Sequence, residues 1–273
     1  MAGAGRKCYP PRAMRLYLIN LDRRPDRLAV MASQAEALGL GLTRIPAVDA
    51  IFADPAELDR RFAHNGPLGE IPRGDKACFL SHRRAWEAFL ATDDAHAVVL
   101  EDDVRLSPVA GALLASDAWV PAGIGLVKLE HYGPRGQRVL LTDFRQAGKD
   151  FKLARMLSRH TGAAAYLIAR PAAELLLAGR RFDLPVDHLM FNPNNSELFA
   201  RLAPWQLLPA IARQREFVGE KSDIEGTRRP LRKLTLTYAR RELVRLGYDL
   251  KLVPRQLAAL AGGAKFTAME TAD

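Results

Sequence analysis

The chain has 273 residues, 48% of them hydrophobic and 26% charged, an ordinary globular composition with enough apolar residues for a substantial core. No apolar run approaches the ~20 residues that span a bilayer, and residues 1–13 carry charge but no hydrophobic segment of the secretory kind. The two cysteines, Cys8 and Cys78, lie far apart without a CxxC spacing, so neither a disulfide framework nor a cysteine zinc site is implied. We therefore expect a protein of the reducing cytoplasm rather than a membrane-spanning or disulfide-stapled one.

The formal net charge of +9 is concentrated near the C-terminus. Between Arg228 and Arg255, nine Lys and Arg residues accompany two acids, and leucines interleave with them. The rest of the chain is close to charge balance, which argues against a nucleic-acid groove along the whole surface. We expect a disordered leader at residues 1–13, a folded domain at 14–227 and a basic amphipathic helical segment at 228–273.

Strand and helix signals alternate along the domain and predict an α/β fold. The first strand, residues 16–21, runs into a charged turn in which Pro25 opens a helix that ends before Gly39. Further strands are predicted at residues 43–49, 97–100, 126–130 and 206–212, and further helices after residue 51, at 74–90 and at 171–177. Residues 161–168 are small and then bulky apolar residues, which permit close backbone approach in core packing or to a ligand.

The most distinctive stretch is residues 96–106, where an apolar run stops at three consecutive acids. The run is continuous rather than alternating, which is typical of a strand buried on both faces. Ligands of open α/β sheets bind beyond the carboxyl ends of such strands, so Glu101, Asp102 and Asp103 are predicted to project into a crevice. A divalent cation such as Mg²⁺ or Mn²⁺ would offset the repulsion among them. A solvated acidic turn is the alternative.

The charged turn after the first strand is a second candidate site. Arg23, Arg24 or Arg27 could bind a diphosphate that Asp26 helps to position. The alternative is a solvated helix N-terminus whose dipole Asp26 complements.

Several familiar motifs are absent from the sequence. It contains no GxxxxGK[ST] phosphate loop, no GxGxxG, no GxSxG elbow and no HExxH pair. Their absence argues against P-loop hydrolysis, Rossmann hydride transfer, serine hydrolysis and a zincin site. An acid triplet at a strand end without a glycine-rich loop suggests a nucleotide diphosphate held through a metal ion.

Seven segments occur in order along the chain: LYLINLDRRPDR, PAVDA, GDKACFLSHRRAW, VVLEDDVRL, VKLE, TGAAAYLI and LPVDHLMF. In this order and spacing they resemble glycosyltransferase family 25, the lipooligosaccharide galactosyl- and glucosyltransferases related to collagen galactosyltransferases. The resemblance covers about residues 14–225. It implies a GT-A-like single domain with a mixed, mainly parallel central sheet flanked by helices, a UDP-sugar donor, a divalent metal and inversion at the anomeric carbon.

The resemblance also implies roles for individual residues. Glu101 and Asp103 occupy the first and last positions of the family's DxD-like motif, where Asp103 would ligate the metal. This metal, Mn²⁺ or Mg²⁺, would neutralise the charge that develops on the departing UDP. The residues expected on the nucleotide side are Asn20, Arg23, Asp26, Arg27, Asp49, Ser81, His82 and Asp102.

An inverting transfer needs a base for the acceptor hydroxyl, and a carboxylate is the usual choice. Asp187 matches the acid of the family's PVD motif and is the leading candidate. Alternatively, Asp187 caps a helix that begins near His188. Asp223 is the alternative base or an additional metal ligand.

The function predicted from these features is a metal-dependent inverting transfer of galactose or glucose from a UDP-sugar to a saccharide acceptor, such as a lipopolysaccharide or lipooligosaccharide core. Two other classes remain open: a nucleotidyltransferase or sugar-nucleotide hydrolase, and a degenerate transferase that acts as a binding protein.

The basic segment at residues 228–255 is expected to dock peripherally on the anionic cytoplasmic face of a membrane, where a lipid-linked acceptor would be displayed. Alternatively, it packs on the domain as a solvated helix face. Aromatic stacking residues are sparse there, so no nucleic acid is expected as a partner.

Overall fold

The computed structural model describes residues 14–134, 136–214 and 236–272. The strands are β1 (Arg15–Asn20), β2 (Leu42–Pro46), β3 (His96–Glu101), β4 (Val104–Leu106), β5 (Leu126–Lys128), β6 (Glu130–His131), β7 (Arg138–Ala147), β8 (Phe151–Met156), β9 (Ala165–Ala169), β10 (Trp205–Leu208), β11 (Ala212–Gln214) and β12 (Lys265–Ala268). The helices are α1 (Pro25–Ala37), α2 (Pro55–Asp59), α3 (Arg73–Leu90), α4 (Ala110–Leu114), α5 (Arg170–Leu177), α6 (Val186–Phe191), α7 (Phe199–Leu202) and α8 (Leu236–Ala261).

The large sheet is mixed, with the strand order β12, β7, β8, β10, β5, β9, β3, β1, β2. β1 is parallel to both of its neighbours, and β5 is parallel to β10. The other five pairings within the described residues are antiparallel. The prediction of a mixed sheet flanked by helices is therefore confirmed, but the prediction that it is mainly parallel is wrong. The reason is that β9 runs antiparallel between β3 and β5, and that the unpredicted β7–β8 hairpin extends the sheet.

Two predicted strands are each divided in the structure. The strand predicted at residues 126–130 becomes β5 and β6, which separate at Leu129 and enter different sheets. The strand predicted at 206–212 becomes β10 and β11, with a cis peptide bond between Leu208 and Pro209. β11 joins β4 and β6 in a second, three-stranded sheet. Both breaks carry the chain from the large sheet to the small one.

The central strands are buried on both faces, as the continuous apolar run of β3 predicts. Val99 packs in one hydrophobic cluster with Tyr17 and Tyr166, whereas Val98 and Leu100 pack in the cluster on the opposite face. All of these side chains are almost fully buried. Because neighbouring residues of a strand point to opposite faces, a strand between two helical layers has no polar position until it ends.

The turn between β1 and α1 follows from its local sequence. Pro25 occupies the first turn of α1, where a missing amide proton costs nothing. The helix ends at Ala37, Gly39 then adopts a left-handed φ of 66°, and the amide of Leu40 donates back to the carbonyl of Ala35. This short crossover brings the charged residues 22–27 next to the end of β3.

The described part of the C-terminal segment contains a helix, α8, and a strand, β12. α8 lies within the segment predicted as helical at 228–273, but the prediction is wrong for residues 265–268, which form a strand; residues 1–13 and 228–235 lie outside the described residues. β12 then pairs antiparallel with β7, so residues 265–268 form an edge strand of the large sheet. Across the described ranges, no helix combines the length and apolarity that a bilayer crossing requires.

Candidate active site

A pocket opens beyond the carboxyl ends of β1 and β3, which are adjacent parallel strands. Its walls also include the start of α1, the loop after β2 and one face of α3, and it encloses about 760 Å³ of empty space including its mouth. The three acids of the triplet, Glu101, Asp102 and Asp103, all line it. Parallel strands place their last residues at the same edge of a sheet, which is why the triplet and the charged turn meet here.

Asp102 connects three elements at the pocket wall. Its Oδ2 accepts a hydrogen bond from Asn20 Nδ2 at 2.7 Å, and its Oδ1 pairs with Arg27 Nη1 at 3.1 Å. Asn20 is only 1% exposed, and its own Oδ1 accepts from Arg44 Nε at 3.0 Å. Burial raises the pKa of Asp102, whereas Asn20 and Arg27 favour its charged form. The network fixes Asp102 and thereby the backbone of both neighbouring acids.

A second ion pair joins the charged turn to the loop after β2. Arg23 Nε lies 2.7 Å from Asp49 Oδ2, and both residues line the pocket. Ser81 reaches the same loop from α3, since its hydroxyl accepts a hydrogen bond from the amide of Val48 at 2.8 Å. These contacts hold the loop after β2 against the pocket.

Asn20, Asp26 and His82 were predicted on the nucleotide side but do not line the pocket. Asn20 and His82 each contact an acid that does, Asp102 or Glu101, whereas Asp26 lies apart from the pocket wall. Its side chain is exposed and pairs with Arg24 Nη2 at 2.7 Å. The hydrogen bond from Arg24 lowers the pKa of Asp26 to about 2. Asp26 also lies in the first turn of α1, where a carboxylate complements the helix dipole.

Glu101 is held by residues of α3 rather than by an arginine. Its Oε1 lies 3.0 Å from His82 Nε2 and 3.6 Å from Cys78 Sγ. His82 Nδ1 lies 2.9 Å from the hydroxyl of Tyr166, which accepts a hydrogen bond from Trp86 Nε1 at 2.7 Å. If Tyr166 donates its proton to His82 Nδ1, then His82 Nε2 carries the ring proton and donates it to Glu101. Cys78, His82 and Glu101 also form a set of possible metal ligands, with their ligand atoms within 4.8 Å of one another.

The charged form of the Asp103 carboxyl group is disfavoured by its surroundings. Its Oδ1 is buried and has no hydrogen-bond partner among the described residues. Burial, reinforced by the charges of Glu101 and Asp102, raises the pKa of Asp103 well above its ordinary value. A buried carboxylate in this state is costly unless a cation or a proton joins it.

Lys128 and Glu130 form a fully buried ion pair behind the triplet. Lys128 Nζ lies 2.7 Å from Glu130 Oε1 and also donates to the carbonyl of Gly162. Glu130 Oε1 accepts from the amide of Ala164 at 2.9 Å, whereas its Oε2 has no partner within the described part of the chain. Burial lowers the pKa of Lys128 and raises that of Glu130, and each partner opposes the shift of the other.

Asp187 lies in the first turn of α6, and the structure contradicts the helix-capping alternative. The residue at the N-cap is Pro185, and no side chain makes a capping hydrogen bond. Asp187 Oδ2 instead accepts a hydrogen bond from the amide of Gly162 at 3.2 Å. Its charge contributes to the pKa values of both Lys128 and Cys78, so it lies within electrostatic reach of the pocket. Asp223 lies outside the described residues.

Sequence reasoning missed three residues of this neighbourhood. Lys128 and Glu130 share one face of a predicted strand, which was a usable signal, but nothing in the local sequence predicts that both are buried. Cys78 and His82 are four residues apart, a spacing that places two ligands on one face of a helix. This spacing is a local signal for two metal ligands, although it differs from the CxxC spacing of cysteine zinc sites.

Comparison with known proteins identifies the family. Residues 13–190 match the profile of glycosyltransferase family 25, described as an LPS biosynthesis protein. A "Glycosyltransferase 25 family member" of Aedes aegypti is 27% identical over 241 residues, which cover 78% of this chain and 37% of the relative.

Bacterial proteins match over a shorter range. "Lacto-N-neotetraose biosynthesis glycosyltransferase LgtB" of Neisseria meningitidis serogroup A is 35% identical over 159 residues, 51% of this chain and 52% of the relative. "Lipooligosaccharide biosynthesis protein lic2B" of Haemophilus influenzae is 28% identical over 152 residues, 52% of this chain and 56% of the relative. The aligned part thus spans less than two fifths of the insect protein and about half of the bacterial ones. Because the family profile covers most of the sequence, the chain belongs to glycosyltransferase family 25.

Proposed function

We propose that the protein is a metal-dependent, inverting glycosyltransferase of GT-A-like fold, which moves galactose or glucose from a UDP-sugar to a saccharide acceptor of a lipopolysaccharide or lipooligosaccharide core. The observation that carries this proposal is the pocket beyond β1 and β3, where four acids and two arginines meet. Such crevices are where α/β folds bind nucleotides. The names of the bacterial relatives, which refer to lacto-N-neotetraose and lipooligosaccharide biosynthesis, support the acceptor class.

In this proposal the arginines of the charged turn bind the diphosphate of the donor. Arg23 and Arg27 both line the pocket, and each is paired with a carboxylate, Asp49 or Asp102. A carboxylate partner orients a guanidinium group, and a pre-oriented guanidinium loses less entropy when it binds phosphate oxygens. Asn20 supports the arrangement because it holds Asp102 in place.

The acids of the pocket fit a hard divalent cation. Asp103 Oδ1 is a buried carboxylate oxygen without a hydrogen-bond partner among the described residues, and oxygen ligands of this kind suit Mg²⁺ and Mn²⁺. Glu101 and Asp103 would hold the ion, with Asp223 as a further ligand inferred from the sequence. When bound, the ion supplies neutralisation of the charge that develops on the departing UDP.

Asp187 is the proposed base. It would take the proton of the acceptor hydroxyl as the hydroxyl oxygen bonds to the anomeric carbon and the bond from that carbon to UDP breaks on the opposite face. Gly162 positions it through the 3.2 Å hydrogen bond, and Lys128 in turn holds the carbonyl of Gly162. Gly162 has a φ of 88°, and a Cβ there would lie 2.6 Å from the ring of Tyr132. Glycine is therefore required where the backbone supports the base.

We also propose that α8 docks the enzyme on an anionic membrane at the cytoplasmic face. Six apolar residues follow one another at spacings of three and four and are all exposed, in the order Leu243, Leu246, Leu250, Val253, Leu257 and Leu260. Lys251 and Arg255 on the same helix are exposed as well. An apolar stripe on a basic helix is the pattern of a helix that lies in a membrane interface.

The stripe also has the spacing of a coiled-coil seam, which would pair two copies of the chain. Pro254 lies within α8 and lacks the amide proton that a straight, continuous helix needs. The interruption favours a surface that tolerates a bend, such as a bilayer, over a regular two-helix seam.

The activity is tested by incubating the purified protein and Mn²⁺ with UDP-galactose or UDP-glucose, with and without a saccharide acceptor. We expect hexose transfer with one donor, inversion at the anomeric carbon and no transfer in excess EDTA. Release of free hexose at a rate that does not depend on the acceptor would instead indicate a sugar-nucleotide hydrolase. Binding of UDP-sugars without any turnover would indicate a degenerate binding protein.

A further inference from the structure

A set of softer ligands lies beside the proposed donor site. Cys78 and His82 project from the same face of α3, because they are one helical turn apart. Glu101 reaches them from the end of β3, so that a thiol, an imidazole and a carboxylate converge. The triplet of acids offers only oxygen, whereas this set offers sulfur, nitrogen and oxygen.

Two of the three distances between ligand atoms are close to those of a tetrahedral metal site. A zinc ion with bonds of about 2.3 Å to sulfur and about 2.0 Å to nitrogen or oxygen places neighbouring sulfur and oxygen ligands about 3.5 Å apart, and nitrogen and oxygen ligands about 3.3 Å apart. Cys78 Sγ lies 3.6 Å and His82 Nε2 lies 3.0 Å from Glu101 Oε1. The third distance, between the sulfur of Cys78 and the ring nitrogen of His82, is at most 4.8 Å.

The imidazole is oriented as metal-ligating histidines usually are. Such a histidine binds metal through one nitrogen and is held through the other by a hydrogen bond. His82 Nδ1 lies 2.9 Å from the hydroxyl of Tyr166, and Trp86 fixes that hydroxyl from the other side. All three side chains are fully buried, so His82 Nε2 cannot easily turn away from Glu101.

We propose that Cys78, His82 and Glu101 bind a zinc ion in the wall of the pocket. Three protein ligands leave one tetrahedral position, and because both Cys78 and Glu101 line the pocket, that position is open to it. The thiol of Cys78 gives up its proton to solvent as the sulfur–zinc bond forms. A thiolate selects zinc over the hard ions Mg²⁺ and Mn²⁺.

A consequence for activity rests on the function proposed above. Glu101 would serve both the zinc ion and the donor-side cation, so zinc at this site would withdraw a ligand and obstruct the donor. Zinc should therefore inhibit sugar transfer, and a zinc chelator should restore it. Zinc binding itself does not depend on the transferase assignment, because it is measured without any substrate.

The binding test uses the metal-free full-length protein and Co²⁺ as a spectroscopic substitute for zinc. One equivalent of Co²⁺ should produce a thiolate-to-cobalt charge-transfer band, which one equivalent of zinc abolishes. Cys78→Ser should lose the band, and Cys8→Ser is the matched control because Cys8 is the only other cysteine of the chain. Tyr166→Phe should weaken zinc affinity by about 10–100-fold, the usual effect of removing a partner of a ligating histidine.

The absence of a charge-transfer band in the wild type would overturn the proposal, and so would a band that survives Cys78→Ser or disappears with Cys8→Ser. If Cys78→Ser does not fold, alkylation of the Cys8→Ser protein decides the matter. One equivalent of zinc should protect Cys78 from iodoacetamide, whereas an unchanged alkylation rate would count against the site. Zinc binding without inhibition would leave the site standing and contradict only its link to the donor.

Discussion

Replacing Asp103 by asparagine should have opposite effects on stability and on activity. In the metal-free protein the carboxylate of Asp103 has a buried oxygen without a partner among the described residues, next to two further acids. An unsatisfied buried polar group costs about 1–3 kcal/mol, and more when it is charged. Asp103→Asn removes the ionisable group and should relieve much of that cost. For a chain of this size the melting temperature should rise by roughly 2–10 °C.

The assay compares thermal unfolding of wild type and Asp103→Asn in EDTA and in excess Mn²⁺. The variant should melt at a higher temperature than the wild type in EDTA. Only the wild type should be stabilised by Mn²⁺, by about 2.7 kcal/mol in free energy of unfolding when the Mn²⁺ concentration is a hundred times its dissociation constant. Sugar transfer by the variant should be lost. Asp93→Asn is the control, because Asp93 is an exposed acid away from the pocket and its removal should change neither property. A variant that melts at or below the wild-type temperature in EDTA would refute the reasoning.

The remaining predictions concern the base, its support, acid stability and membrane binding. Asp187→Asn should lower turnover by roughly 10²–10⁴-fold with little change in donor affinity, whereas the exposed neighbour variant Asp183→Asn should behave as wild type in the same transfer assay. Gly162→Ala should also reduce turnover more than donor affinity, because a Cβ would displace the backbone that holds the proposed base Asp187. A variant with wild-type turnover would show that Gly162 does not contribute to catalysis. Burial lowers the pKa of His160 to about 3, so the folded state resists protonation while the unfolded state accepts it below about 6.5. Stability present at neutral pH should therefore fall by about 1.4 kcal/mol per pH unit between 6.5 and 3, and urea titrations of His160→Gln should show a shallower decline. In flotation experiments the wild type should bind anionic but not neutral vesicles, and it should bind less at high salt. Leu250→Asp should weaken this binding. Equal recovery with both lipids would exclude the membrane role, and so would a Leu250→Asp variant that loses binding because a dimer of the protein dissociates.

The central part of the site was predictable because its signals are local. An apolar run that stops at three acids identifies both a buried strand and the edge where it ends, and β3 with Glu101, Asp102 and Asp103 lies as predicted. The charged turn after β1 was predictable for the same reason, since parallel neighbours end at one edge. In each case a few adjacent residues carry the information.

Whether neighbouring strands run parallel or antiparallel was not predictable in this way, because strand pairing depends on residues far apart in the chain. Most of the second half of β7 is exposed, so it has no alternating pattern to reveal the hairpin with β8. Likewise, the orientation of β9 between β3 and β5 follows from how the chain crosses the sheet. A strand with only apolar residues gives no sign of the direction in which it runs.

The partners of the site residues were also hidden from the sequence. Glu101 meets His82 and Cys78 from a different element, and Asp187 meets Gly162 across 25 residues. Sequence alone gave Asp187 two plausible uses, base or helix cap. The structure rules out the helix cap, because Pro185 occupies the N-cap position of α6.

The buried pair Lys128–Glu130 explains how the proposed base and the acid triplet keep their spacing. Such a pair adds little stability, since the loss of hydration offsets the attraction between the charges. Its hydrogen bonds have another effect: Lys128 holds the carbonyl of Gly162, whose amide holds Asp187, while Glu130 holds the amide of Ala164. The charge of Glu130 also contributes to the raised pKa of Asp103. The carbonyl of Ala164 in turn accepts a hydrogen bond from the amide of Glu101 at 2.8 Å. The pair of buried side chains therefore positions the backbone at both the proposed base and the proposed metal-side acid Glu101, and reacting groups must be held to within about 0.5 Å for efficient transfer.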